Sequence, residues 1–157
     1  MGKIGPNVSI GARQDISADV MPPMVAVFSG EVTASKIGQP LGAARFAGQV
    51  EDVWLSCEYS GKATTTAALN FSGEVYINGV SCLTTKPIIA YVSGEATQHK
   101  TTKITGDTGI IQSVINGDAN TFSPGDILTC DISIQRSNAD SEITNIVLEV
   151  EFSPKYL

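Results

Sequence analysis

The 157-residue sequence holds one histidine, one tryptophan and three cysteines, and only 17% of it is charged, against about 25% in an average soluble domain. Each shortage excludes something. With His99 as the only imidazole, a serine or cysteine nucleophile has a single histidine base to draw on. That base lies in the polar, basic stretch Gln98-His99-Lys100-Thr101-Thr102-Lys103, which reads as a loop. There is no G-x-S-x-G elbow, no phosphate-binding glycine loop and no dinucleotide-binding glycine pattern. Cys57, Cys82 and Cys130 are odd in number, widely spaced and without a C-x-x-C pair. A structural zinc site is thereby excluded, and three buried free thiols in a reducing compartment are expected. No metal or cofactor is expected.

Positive charge is also scarce. Ten Lys and Arg face sixteen Asp and Glu, a net charge of −6, the wrong sign for a nucleic-acid binder or for an anionic lipid surface. No run approaches eighteen apolar residues, so no transmembrane helix is expected. Met1 to Ala12 carries Lys3 but no apolar stretch long enough for a secretory signal. Without secretion, the sequons at Asn7 and Asn70 carry no meaning.

What is there is apolar and small-polar: 42% hydrophobic residues, with 15 Ser, 14 Thr and 15 Gly. The length suits one core. Serine and threonine cost less to desolvate than lysine or glutamate, which suits a surface that packs against neighbours. Period-2 alternation dominates. Val25 to Val32 opens the first expected strand. Val53, Leu55, Cys57 and Tyr59 alternate with Trp54, Ser56 and Glu58. Leu69, Phe71, Gly73, Val75 and Ile77 alternate with Asn70, Ser72, Glu74, Tyr76 and Asn78. Asn78-Gly79 reads as a two-residue type I′ hairpin turn. Further strands are expected at Pro87–Val92, Ile104–Gly106, Gly109–Ile115, Ile127–Ile134 and Ile143–Phe152, with Ser123-Pro124-Gly125-Asp126 as a turn. Ala63–Leu69 is the one candidate helical turn, and its three threonines oppose it. Seven or eight strands with dense turns predict an all-β protein, an antiparallel β-sandwich. A jelly roll with long connections at 34–49 and 93–108 fits that strand number. The thrice-repeated Ser-Gly-Glu, at Ser29, Ser72 and Ser93, has unrelated flanks and is no repeat.

Residues 1–23 read as an extended N-terminal arm, and residues 24–157 as the sandwich domain. The arm holds three glycines, three prolines and scattered aliphatics: Ile4, Val8, Ile10, Ile16 and Val20. It cannot form a core by itself, yet it carries too many aliphatics for a solvated tail. It is expected to lie on a neighbouring subunit, with the Met21-Pro22-Pro23-Met24 joint at its base.

Three chemistries were weighed on the remaining polar and aromatic residues. Asp52, Glu58, Glu74 and Asp131 offer paired carboxylates for glycoside hydrolysis, but any acidic β-protein offers such a set. Glu58 and Glu74 fall on the wet faces of their strands. Asn116-Gly117-Asp118-Ala119-Asn120 spaces three oxygen side chains like the start of a calcium loop. Thr121 and Ile127 then stand where the glycine and the bidentate glutamate belong, so a turn explains the segment equally well. Trp54, Tyr76 and Tyr91 would form a carbohydrate platform if they lay together on an outer face. No enzyme is expected.

The stretches Val75-Tyr76-Ile77-Asn78-Gly79-Val80 and Phe122-Ser123-Pro124-Gly125-Asp126-Ile127-Leu128-Thr129-Cys130-Asp131 resemble small β-sandwich proteins of tailed bacteriophages, which serve as capsid decoration (cement) proteins or head fibres. The resemblance covers roughly residues 50–152 and transfers no individual functional residue. It implies a non-enzymatic virion part on the capsid exterior, assembled in the host cytoplasm. It also implies a homo-oligomer, often a trimer, bound to the major capsid protein through a terminal arm. The alternative within this resemblance is a carbohydrate- or receptor-binding module of a head or tail fibre.

Overall fold

The computed structural model describes residues 21–61, 69–94, 99–104, 107–136 and 143–155. The arm residues Ile4, Val8, Ile10, Ile16 and Val20, and most of the candidate helical turn, lie outside them. Thirteen strands and no helix occur among the described residues: β1 Met24–Glu31, β2 Lys36–Ala43, β3 Gly48–Tyr59, β4 Leu69–Ile77, β5 Val80–Ser81, β6 Leu83–Thr85, β7 Ile88–Ala90, β8 Lys100–Thr101, β9 Ile110–Ile111, β10 Val114–Ile115, β11 Thr121–Phe122, β12 Ile127–Arg136 and β13 Thr144–Pro154. One sheet runs β1-β13-β3-β11, with β8 also on β3; the other runs β2-β12-β4-β7-β9, with β5 also on β4. Strands β6 and β10 pair separately. All pairings are antiparallel.

The two sheets form a β-sandwich, and the alternation in the sequence specifies their inner faces. Val53 and Leu55 of β3, Phe71 and Val75 of β4, Leu128, Cys130 and Ile132 of β12, and Ile146, Leu148 and Val150 of β13 are all fully buried. Gly73 marks the tightest approach. A Cβ there would sit 2.9 Å from a Leu148 methyl and 3.1 Å from one of Leu55, both reaching across from the opposite sheet. The missing side chain is the socket for two leucines.

Turn chemistry behaves as its residues dictate. Asn78 and Gly79 both take positive φ, 49° and 82°, and Ile77 pairs with Val80. Gly125 takes φ 93°, and the Asp126 N–H donates to the Ser123 carbonyl at 3.1 Å. The two turns then dock on each other. The Asn78 side chain donates to Asp126 at 2.8 Å and accepts from the Ile127 N–H at 2.9 Å.

Three expectations need correction. Residues 36–43, read as part of a long connection, form β2. Two glycines and Pro40 hid it, but an edge strand tolerates proline because one side of its backbone pairs with nothing in the sheet. The stretch around His99 is not simply a loop: Lys100–Thr101 form β8 on β3, and Thr102 is fully buried. Ile104, expected in a strand, lies outside any strand and is 58% exposed. Residues 105–106 of that expected strand are not described.

Candidate functional site

An apolar cleft forms where the described chain begins. Met21, Pro22 and Pro23 lead into Met24, the first residue of β1. Facing them are Ala43 at the end of β2 and the loop residues Ala44, Arg45 and Phe46, with Phe122 of β11 and Phe152 of β13 as the floor. Together they enclose a cleft of about 250 Å³. Arg45 is the only charged lining residue among those described.

Each wall has a local cause. Gly48, at the start of β3, lets the floor close: a Cβ there would meet the Ser153 carbonyl at 2.7 Å and the Phe122 ring at 2.8 Å. Phe122 therefore approaches the Gly48 backbone closely and meets Phe152 edge to face, with centroids 5.3 Å apart and planes at 83°. The 44–46 loop is held by backbone hydrogen bonds to the Ser123–Asp126 turn. Ala44 N–H donates to the Asp126 carbonyl, and Gly125 N–H to the Ala44 carbonyl, both at 2.8 Å. Met21 and Met24 pack on the core from the other side, flexible thioethers filling an irregular gap. Phe46 is left 63% exposed on the rim.

Strand β1 continues the apolar surface beyond the cleft. It is the edge of its sheet, and its outward residues Val25 and Val27 are 49% and 61% exposed. Edge strands are usually blunted by lysine, proline or an inward charge. From Met24 to Phe28 this one carries none of them.

Comparison of the chain with protein-family models, curated proteins and solved structures finds no match.

The three aromatics considered for a sugar platform are not brought together. Trp54 points outward from β3, and the Lys103 ammonium sits 4.1 Å above its ring. Lys103 is held there by Glu149 at 3.1 Å. Tyr76 lies on the outer side of the other sheet and donates to Asp131 at 3.0 Å. Burial, and then that carboxylate, push its phenol up to about 12. Tyr91 packs against the core just after β7.

Of the four carboxylates, Glu74 and Asp131 are direct cross-strand partners. Glu74 is not on a wet face as expected: it is 5% exposed. Lys86 meets it at 2.7 Å and the Ser81 hydroxyl donates to it at 2.5 Å. Asp131 accepts the Gly38 N–H at 2.7 Å as well as Tyr76. Asp52 accepts from the Ser113 hydroxyl at 2.5 Å, and Glu58 from the Asn145 side chain. All four carboxylates are thus engaged structurally. In the calcium-like segment, Asn116 caps the Asp118 N–H at 3.2 Å and Asn120 donates to the Val50 carbonyl at 3.0 Å, which is turn chemistry. No metal-binding cluster occurs among the described residues. The three cysteines are buried and form no disulfide. Burial pushes their thiols up, to about 11 for Cys57 and Cys130 and about 12 for Cys82.

Proposed function

We propose that this protein is a structural subunit of a virion, a decoration protein that binds the outside of a bacteriophage capsid and stabilises it. One observation carries the reading: an apolar cleft at the root of the arm runs into an edge strand with exposed valines and no charge from Met24 to Phe28. A surface of this kind is suited to permanent contact with other subunits. The nested strand pairing supports the finer jelly-roll assignment. β1 lies beside β13, β2 beside β12, β3 beside β8 and β11, and β4 beside β7, as in a long hairpin rolled into two layers. The separation of Trp54, Tyr76 and Tyr91 favours this reading over a sugar-binding fibre tip.

Stabilisation would follow from mass action, since a ligand that binds only the assembled shell adds RT ln(1 + [L]/Kd) for every site filled. The test uses capsids of the virus that encodes the chain, assembled without it. Full-length protein is expected to co-sediment with them and to raise their melting temperature. The variant Ile4→Asp/Val8→Asp/Ile10→Asp should fold and fail to bind. Absence of binding by the full-length protein overturns the proposal.

A further inference from the structure

We propose that Asn116 is a site of self-modification: the Gly117 nitrogen displaces ammonia from the asparagine side-chain amide, and water opens the resulting ring to leave a carboxylate. The fold shields the second Asn-Gly pair of the chain, Asn78-Gly79, from the same reaction.

In both pairs a glycine follows the asparagine. Without a Cβ, the glycine nitrogen is open to the amide carbon of the preceding side chain. Both glycines are exposed. The pairs differ in where each asparagine amide is held.

Asn78 is held from outside its own turn. Its Nδ2 donates to the Asp126 carboxylate at 2.8 Å, and its Oδ1 accepts the Ile127 N–H at 2.9 Å. Its own N–H donates to the Ile127 carbonyl at 2.8 Å. Both ends of the amide are thus fixed on a turn far along the chain, and its carbon reaches the Gly79 nitrogen only if those bonds break.

Asn116 is arranged in the opposite sense. Its Oδ1 accepts the Asp118 N–H at 3.2 Å, a bond that folds the side chain back along its own main chain around Gly117. Neither its Nδ2 nor the Gly117 N–H has a hydrogen-bond partner among the described residues. The Asp118 N–H is aimed at the oxygen on which negative charge develops as the nitrogen adds to the amide carbon. Gly117 is also not demanded by the backbone: its φ is not positive, and a Cβ there would meet nothing within 4 Å.

The reaction consumes only water. The Gly117 nitrogen bonds to Asn116 Cγ and gives up its proton; the Cγ–Nδ2 bond breaks, and Nδ2 leaves with that proton as ammonia. Water then opens the five-membered imide. Attack at Cγ leaves aspartate, and attack at the main-chain carbonyl leaves isoaspartate, whose backbone runs through Cγ. Either product adds one negative charge to the turn between β10 and β11. That turn is pinned at one end by the Asn116 N–H on the Cys82 carbonyl at 2.9 Å, and at the other by the Asn120 side chain on the Val50 carbonyl at 3.0 Å. Isoaspartate lengthens the main chain between those pins.

The test ages full-length protein in warm neutral buffer, quenches it in acid, and reads its peptides by mass spectrometry with electron-transfer fragmentation, which tells isoaspartate from aspartate. The expected result is an amide-to-acid mass gain at position 116, as a mixture of isoaspartate and aspartate, with position 78 at least several-fold slower. Gly117→Ala should slow conversion at 116 several-fold and leave the circular dichroism unchanged. In urea, where the bonds to Asp126 and Ile127 are gone, position 78 should convert as fast as position 116. Equal conversion of the two positions in the folded protein overturns the proposal. So does no conversion at 116, a rate there indifferent to Gly117→Ala, or a product that is aspartate alone, the mark of direct hydrolysis.

Discussion

At the scale of single residues, stability rests on a few positions where a side chain is either required or forbidden. Asp126 receives the Ser123 N–H at 2.7 Å and the Asn78 amide at 2.8 Å. These bonds, the backbone one first, hold its carboxyl below the ordinary aspartate value. A carboxyl with a depressed folded-state value stabilises above its unfolded value and loses that contribution as the pH falls through the folded one. Wild type should therefore melt higher than Asp126→Asn above about pH 5, and the gap should narrow as the pH falls below the ordinary aspartate value of about 3.9. Gly73 is the opposite case. Gly73→Val drives two methyls into Leu55 and Leu148, and an overpacked core of this kind costs about 1–3 kcal/mol, to be read from urea midpoints at unchanged slope. The raised thiols of Cys57, Cys82 and Cys130 should resist a maleimide at pH 7 until denaturant is added.

Among the elements, the long strands and the short ones differ in how their sequences announce them. Strands β3, β4, β12 and β13 were legible because strict alternation has only one good explanation, a sheet with one face on a core. The Asn78-Gly79 and Pro124-Gly125 turns were legible because few residues accept positive φ. β8 was not. Its stretch is polar, and it stays on β3 through backbone and hydroxyl bonds: Thr102 Oγ1 accepts the Leu55 N–H, Thr102 N–H donates to the Leu55 carbonyl, both at 2.9 Å, and the Lys100 ammonium donates to the carbonyls of Ala90 and Thr108 at 3.0 and 3.1 Å. Hydrophobic pattern cannot show burial that hydrogen bonds make affordable. Thr102→Val is expected to cost about 1–3 kcal/mol, because the buried Leu55 N–H loses its acceptor, while Thr102→Ser keeps most of the stability. The cleft was equally hidden. Its root, Met21-Pro22-Pro23-Met24, stood out in the sequence, but its walls come from three further places in the chain that only the tertiary fold assembles.

For the whole molecule, low charge and an open apolar flank set the behaviour in solution. Contacts made by burying valine, methionine and phenylalanine are insensitive to ionic screening, unlike exposed ion pairs. An oligomer held through this flank should keep its mass from about 0.05 to 1 M sodium chloride, as sedimentation velocity can check, whereas one governed by rim charges would dissociate across that range. The nested pairing also makes most contacts distant in sequence, so folding is expected on the millisecond-to-second scale of sandwich topologies, and stopped-flow refolding measures it directly.

The floor of the cleft has a consequence for synthesis. Met24 belongs to the first strand to leave the ribosome and Phe152 to the last. Elongation at roughly 5–20 residues per second puts several seconds between them. Until β13 emerges, β1 has no partner in its sheet, and the cleft lacks Phe152. A fragment stopped before Phe152 therefore cannot complete the cleft, so this apolar concavity belongs only to chains whose translation has passed that residue.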